Sequence, residues 1–449
     1  MKHYDLLVIG GVAAGMSAAS QARRTDRNMS IGVFEKSEYV SYAACGMPYF
    51  IGEHIDDYTK LIAINKDDFI KKRGIDIVTL AEVERVDFKA GNASIKIAGN
   101  SEEYSFGKLV IATGARPLYP PVKGIDLPGV FMLRNLNDGI RIKEFIQKNF
   151  PRSGVIIGGG FIGLEMAETL RELGIACTIV ERMESVAMTM DPEIREKITL
   201  KLKEFDVEVR TGADVEEITA VENKLTVSIK GGGSIETDFI IASVGVLPNT
   251  GFLKETGLAM TDRGAIIINE KSETNIPDVY AAGDCATVKH LITGKDTYMP
   301  LGTTANKQGR VAGLQAAGVD SEQFKGIVGT QLVKVFDLEV AKTGFNEHDA
   351  EQAGISVESA SASWHDIAGY CPASENIFVK LFINRDTREI IGGQTLGRQN
   401  AAQRINVVAA AITSRMQLEE FAYLDLGYAP PFAPVWDALL VAAQKLIQR

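Results

Sequence analysis

Runs of apolar residues without polar interruption recur along this chain, each followed by glycine or by small residues. Tyr4-Asp5-Leu6-Leu7-Val8-Ile9 leads through Gly10-Gly11-Val12-Ala13-Ala14-Gly15 into a helix of small residues, then into Ser30-Ile31-Gly32-Val33-Phe34, ending at Glu35. Gly154-Val155-Ile156-Ile157 leads through Gly158-Gly159-Gly160-Phe161-Ile162-Gly163 into a second helix, then into Ala176-Cys177-Thr178-Ile179-Val180, ending at Glu181. Both segments read strand, glycine turn, helix, strand, acid. Strands buried on both faces are apolar throughout, so each segment predicts a β-α-β unit with parallel strands. Further strands are predicted at residues 109–115, 240–245 and 274–284. The tail from about Lys325 has another texture: strand patterns at 331–335 and 377–382 precede helical patterns at 401–412 and 436–447. With no glycine fingerprint there, the tail predicts a separate α+β domain.

The glycines carry the first chemistry. A pyrophosphate at a helix N-terminus meets free backbone N–H groups and the positive end of the helix dipole, provided that no side chain blocks its approach. Gly158, Gly160 and Gly163 complete the G-x-G-x-x-G pattern, and Glu181, 18 residues after the last of them, is placed to accept from a ribose 2′-OH. The first unit has Gly10 and Gly15 but Val12 at the middle position, so alone it is also open to reading as an ordinary α/β turn. Residues 109–115 and 274–284 add small-residue turns beside it, the latter closing on Gly283-Asp284, where a carboxylate can accept from a polyol hydroxyl.

Composition narrows the picture. At roughly 150 residues per domain, 449 residues predict about three domains. A net charge of −10 repels a phosphate polyanion on average and argues against nucleic acid as a partner; an anionic ligand needs a local basic patch. No apolar run is long enough to span a membrane, and Met1 leads so soon into a strand that no signal peptide is expected. Cys45, Cys177, Cys285 and Cys371 are scattered, with neither disulfide nor metal-site spacing, which fits a reducing cytoplasm.

Taken in order, these segments resemble the two-dinucleotide flavoproteins of the pyridine nucleotide-disulfide oxidoreductase family, over essentially the whole chain. The resemblance implies an α/β fold with two Rossmann-like dinucleotide-binding domains and a C-terminal α+β dimerisation domain. An FAD domain would comprise residues 1–117 and 247–324, an NAD(P) domain 118–246, and an interface domain 325–449. FAD would lie against Gly10, Val12, Ala13, Ala14 and Gly15, with Glu35, Lys36 and Val83 on one side. Thr113, Gly114, Gly283, Asp284, Gly302, Thr303 and Thr304 would close over it. The nicotinamide nucleotide would meet Gly158, Gly160, Phe161, Ile162, Gly163, Glu165, Glu181, Arg182 and Gly245. Glu181 favours NADH by repelling the 2′-phosphate of NADPH, while Arg182 softens that preference, so the donor expected is NADH, with NADPH left open.

Members resembling glutathione reductase carry a C-x-x-x-x-C pair, but here Phe50 stands where the second sulfur would be. Cys45 is therefore the expected redox residue. Gly46 and Pro48 mark a turn into a helix, whose N–H groups are expected to lower the thiol pKa. This stretch resembles the single-cysteine branch of coenzyme A disulfide reductases, NADH oxidases and NADH peroxidases. Oxidases and peroxidases of the branch place a histidine where this chain has Ala13, and Gly427-Tyr428-Ala429-Pro430-Pro431 is similar to the Y-A-P-P motif of the coenzyme A disulfide reductases. The resemblance implies that Ser17, Gln21, Arg24, Ser41, Arg73 and Asn306 hold coenzyme A, with Trp436 where some members have lysine. Ala44 departs from the asparagine common before the cysteine. Tyr428 and Tyr370 would reach the partner's Cys45 in a homodimer, and coenzyme A would be substrate and possible bound ligand. The expected activity is NAD(P)H-dependent reduction of coenzyme A disulfide through a mixed disulfide on Cys45. Alternatives are an NADH oxidase, a polysulfide or persulfide reductase, or a flavin electron carrier serving a protein partner. No rhodanese-like extension is expected after residue 449.

Overall fold

The computed structural model describes residues 1–448. The first glycine unit seeds a seven-stranded sheet in the order Asp76–Thr79, Ile31–Glu35, Lys2–Ile9, Asn100–Ile111, Asn92–Ile97, Ala81–Asp87, with Val279–Ala281 also pairing to Asn100–Ile111. That long strand has three partners and runs parallel to Lys2–Ile9 from Tyr104 to Ile111. Its first half pairs antiparallel with Asn92–Ile97, and Leu109 to Ile111 run parallel to Val279–Ala281. The strand predicted at 109–115 thus begins earlier and ends at Ile111. Gly114, at φ +64°, bends the chain away before it reaches 115. The strand predicted over 274–284 shortens to Val279–Ala281, and Gly283, at φ +81°, ends it in a turn.

The second unit builds an all-parallel sheet in the order Val207–Arg210, Ala176–Val180, Ser153–Ile157, Phe239–Ala242, Val130–Met132. It is inserted into the first. Ala115–Pro117, where the chain leaves the first sheet, pairs antiparallel with Val246–Pro248, where it returns. Leu118 N donates to Gly245 O and Asn249 N to Gly114 O, both at 2.9 Å, so exit and return are tied side by side.

The tail forms a five-stranded antiparallel sheet in the order Gln331–Val335, Leu338–Gly344, Ile390–Gly397, Asn376–Asn384, Val357–His365. Helices Ile405–Ser414 and Ala438–Ile447 pack on it through Val408, Ala411, Leu439 and Ala442, all but excluded from solvent. The first of these helices starts later than the apolar pattern suggests because the N–H groups of Ala401 and Ala402 are bound to the Glu339 carboxylate at 2.8 and 2.9 Å. The second starts after Asp437, whose side chain caps it by accepting from Leu439 N.

Two helices cross on small residues. Ala13–Thr25 packs on Gly302–Ala316, where a Cβ on Gly309 would lie 2.2 Å from Ala14 O and one on Gly313 2.3 Å from Ala18 O. Only glycine allows that approach, and it decides which side chains meet above the crossing.

Candidate active site

The two glycine turns are built alike. Gly10 and Gly158 take φ of +100° and +108°, and a Cβ there would lie 2.2 Å from Ala112 O and 2.6 Å from Ser243 O. At Gly15 and Gly163 a Cβ would come within 1.8 and 2.1 Å of the carbonyl oxygens of Gly10 and Gly158. Packing alone therefore demands glycine at the first and third positions. The middle position is different: a Cβ on Gly160 would meet nothing within 4 Å. Val12 holds the matching place in the first unit at φ −106°, outside the positive-φ region that favours glycine. The acids repeat as well. Glu35 accepts from Gly11 N and Ser37 N, both at 2.7 Å. Glu181 accepts from Gly159 N at 2.6 Å and Met183 N at 2.7 Å. Each carboxylate retains lone pairs for a hydroxyl.

Gly283 brings its turn onto the first helix, where an added Cβ would lie 2.9 Å from Ala14 Cβ and 3.3 Å from Ala305 Cβ. On these converging segments Asp284 Oδ1 and Thr304 Oγ1 are buried without a hydrogen-bond partner. Unpaired buried polar atoms are rare in folded proteins, and a polyol or phosphate satisfies them. The residues therefore fit FAD. Val83 is buried, Thr303 and Gly302 are exposed at the helix start, and Lys36 is held outward by Glu82 at 2.7 Å. Arg134, which the sequence reading missed, donates to Asp284 Oδ2 at 2.6 Å and to Ala115 O at 3.0 Å. Nothing local signals it, because its partner lies 150 residues away in the chain.

Cys45 occupies a single 3-10 turn, Ala44–Gly46, braced by Ala43 N donating to Leu61 O at 2.8 Å. The expected lowering of its pKa is a correction. Loss of hydration pushes the thiol up, and the carboxylates of Glu165 and Asp284 push it the same way, while Arg134 and a backbone N–H oppose them. The following helix, Met47–Ile51, is too short for a useful dipole, and Pro48 in its first turn has no N–H to offer. Glu165, on the helix Phe161–Glu172, is itself pushed up to about 7 by burial and by Glu168. Cys45 thus feels Asp284 of the first unit and Glu165 of the second together.

Tyr370 and Tyr428 hydroxyls lie 3.2 Å apart. Within one chain the structure pairs the two tyrosines with each other. They share an exposed apolar stretch with Phe432, Val435 and Trp436, the first of these 75% exposed. Cys371 Sγ lies 3.5 Å from Pro430 O beside them. Cys177 and Cys285 are buried.

A cavity of about 500 Å³ opens beside the first glycine turn. Its lining includes Ser17, Arg24, Ser41, Arg73 and Asn306, five of the residues expected to hold coenzyme A, together with Ala13 and Ala43. Ser17 Oγ donates to Asn306 Oδ1 at 2.8 Å across the helix crossing. Arg73 donates to Ser20 Oγ at 2.9 Å and stacks over Phe69. Gln21 is bound to Arg24 behind this wall, and Trp436 does not line the cavity within the chain. Arg310, a lining residue the sequence reading left out, follows Asn306 by one helical turn, and that spacing is the signal that would have found it.

Comparison with known proteins matches residues 4–309 to the family model "Pyridine nucleotide-disulphide oxidoreductase" and residues 330–439 to its dimerisation domain. An NAD(P)H sulfur oxidoreductase (CoA-dependent) of Pyrococcus furiosus is 39% identical over 99% of this chain and 100% of its own. A coenzyme A disulfide reductase of Staphylococcus haemolyticus is 31% identical over 98% of both chains. The structure of an NAD-dependent persulfide reductase from A. fulgidus superposes with a TM-score of 0.95 at 36% identity, covering 99% of this chain and 83% of that one.

Proposed function

The chain belongs to the pyridine nucleotide-disulphide oxidoreductase family, and on that premise we propose that it reduces coenzyme A disulfide with electrons from NAD(P)H, through Cys45. The observation that carries this reading is the place of Cys45, under the influence of Asp284 from one nucleotide unit and Glu165 from the other. FAD, when bound at the first glycine turn, supplies the two-electron relay between nicotinamide and thiol. The second turn, Gly158 to Gly163 with Glu181, would hold the nicotinamide nucleotide, and the family resemblance puts Glu165, on the helix that follows, near the nicotinamide.

Cys45 acts as the nucleophile. Its thiolate attacks one sulfur of the substrate disulfide, an S–S bond to Cys45 forms, and the other half leaves as a thiolate. With Ala13 where the oxidases and peroxidases of the branch carry a histidine, the proton for that leaving group comes from a tyrosine hydroxyl. Tyr428, paired with Tyr370, serves this role from the second protomer of a homodimer built on the C-terminal domain. The arginine-lined cavity supplies the local positive charge that a phosphate-bearing substrate needs on an acidic protein.

Intact-mass measurement of the purified protein before and after reduction tests the reading. A coenzyme A adduct that is lost on reduction and absent from Cys45→Ser is expected. Cys45→Ser should keep its flavin and lose disulfide reduction; retained turnover would defeat the proposal. A per- or polysulfide acceptor is the second reading, favoured by the likeness to the persulfide reductase from A. fulgidus, and it uses the same sulfur chemistry. Comparing kcat/KM for coenzyme A disulfide and for polysulfide on one preparation ranks the two.

A further inference from the structure

The C-terminal sheet touches the inserted nucleotide unit through the turn between its strands Gln331–Val335 and Leu338–Gly344, and that turn grips the helix Phe161–Glu172. Phe336, at φ +55°, is buried at the tip and stacks on Phe205, with ring centroids 4.0 Å apart and planes 8° from parallel. Asp337 beside it pairs with Lys201 at 2.8 Å. A bulky residue at positive φ is strained, and it persists where its surroundings hold it from several sides.

Glu168 is the point that the turn holds on the helix. Its Oε2 accepts from Phe336 N at 2.8 Å and its Oε1 from Lys334 Nζ, from a lysine 166 residues away in the chain. The carboxylate is almost wholly buried, whereas Lys334 is about half exposed. An ion pair so open to water adds little to stability, so its place matters more than its strength. Glu165 lies one helical turn before Glu168 on the same face, and, burial apart, Glu168 is the charge that acts on it. Cys45 and Tyr49 both feel Glu165, and Tyr49 also feels Glu168 and Lys334. Both are pushed above their ordinary ranges, chiefly by loss of hydration. His54 lies beside Tyr49 and is bound at 2.7 Å to Glu172, at the far end of the helix. A line of charge thus runs from the C-terminal sheet to the redox thiol.

We propose that Lys334 is a positioning residue for the nicotinamide side of the site: together with the Phe336 N–H it pins Glu168, shields its charge, and so keeps Glu165 available as a carboxylate for the cationic ring of the oxidised nucleotide. The inference rests on the reading that puts Glu165 near the nicotinamide, and adds the part of the C-terminal domain that controls it. A carboxylate attracts the positively charged ring of NAD+ more than the neutral ring of NADH. Because loss of hydride turns the neutral ring into the cation, the same charge favours the transfer.

Calorimetric titration of the FAD-loaded enzyme with NAD+, from about pH 5.5 to about pH 8.5, tests it. Affinity should rise with pH through a midpoint of about 7, where Glu165 gives up its proton. Lys334→Met leaves the Glu168 charge unshielded, Glu165 then keeps its proton to higher pH, and the midpoint should move up by roughly one pH unit. Lys334→Arg should bring it back. Glu168→Gln removes the like charge and should move the midpoint down. Opposite movements from the two halves of one ion pair are not what loosened packing produces. If Glu165→Gln flattens the profile but Lys334→Met leaves the midpoint where the wild type has it, the role of Lys334 is overturned and the Glu165 reading stands. A pH profile that Glu165→Gln leaves unchanged would overturn both.

Discussion

The thiol of Cys45 stands between opposing influences, and their balance is testable. Loss of hydration, Glu165 and Asp284 disfavour the thiolate of this surface-accessible residue, and Arg134 is the side chain that favours it. Removing the cation should therefore lower the thiolate fraction further. Arg134→Met is expected to slow alkylation of Cys45 by iodoacetamide at pH 7.5 and to move the pH midpoint of the labelling rate upwards; an unchanged midpoint would remove Arg134 from the account. Glu165 offers a second test. An ordinary glutamate titrates near 4.5, whereas burial and Glu168 lift Glu165 to about 7. Because the folded form holds its proton to higher pH than the unfolded chain, its contribution favours folding at low pH and is lost as pH rises from about 4.5 through about 7. Glu165→Gln should thus melt a few degrees above wild type at pH 8 and at nearly the same temperature at pH 5, the difference reflecting up to roughly 3 kcal/mol. These residue-level properties were not legible in the sequence. The turn at Gly46 and Pro48 was visible, but the carboxylates that face the sulfur come from residues 165 and 284, and only the fold brings them there.

Elements were far more legible, because a doubly buried strand must be apolar and a phosphate-binding turn must be small. Residues 176–180 and 331–335 are strands over the span their patterns predict. Boundaries slipped where a polar group competes for backbone N–H, as Glu339 does ahead of the helix at 405. Glycine roles separate cleanly at this scale. Gly160→Ala meets no protein atom within 4 Å, so it should leave Tm unchanged and raise KM for the nicotinamide nucleotide. Gly309→Ala would press a Cβ to 2.2 Å from Ala14 O, forcing the two crossing helices apart. Overpacking of this kind costs about 1–3 kcal/mol, and it should weaken flavin retention and coenzyme A affinity together. Separate effects on the two ligands would mean that the crossing does not organise both. Arg310 escaped notice although its helix was expected to matter at Asn306, since its hydrogen bond to Gln21 reaches across to the opposite helix.

Across the whole molecule, Tyr370, Tyr428, Phe432 and Trp436 are exposed, and the proposed function makes them the surface through which a second protomer would complete each site. Mixing Cys45→Ser and Tyr428→Phe subunits tests this, since each hybrid dimer would own one site with both residues intact. Random exchange should restore about a quarter of wild-type turnover above the level of either parent. No gain on mixing would place the tyrosine's action within its own chain or remove it. The paired strands Ala115–Pro117 and Val246–Pro248 have a further consequence. Because the inserted nucleotide unit begins and ends at neighbouring points of one short ribbon, it can be excised and replaced as a cassette. A graft joined at 117 and 246 needs no bridging peptide, and where its new surface keeps the contacts of Glu168 with Lys334 and of Asp191 with Lys380, the choice of electron donor becomes a property that can be transplanted.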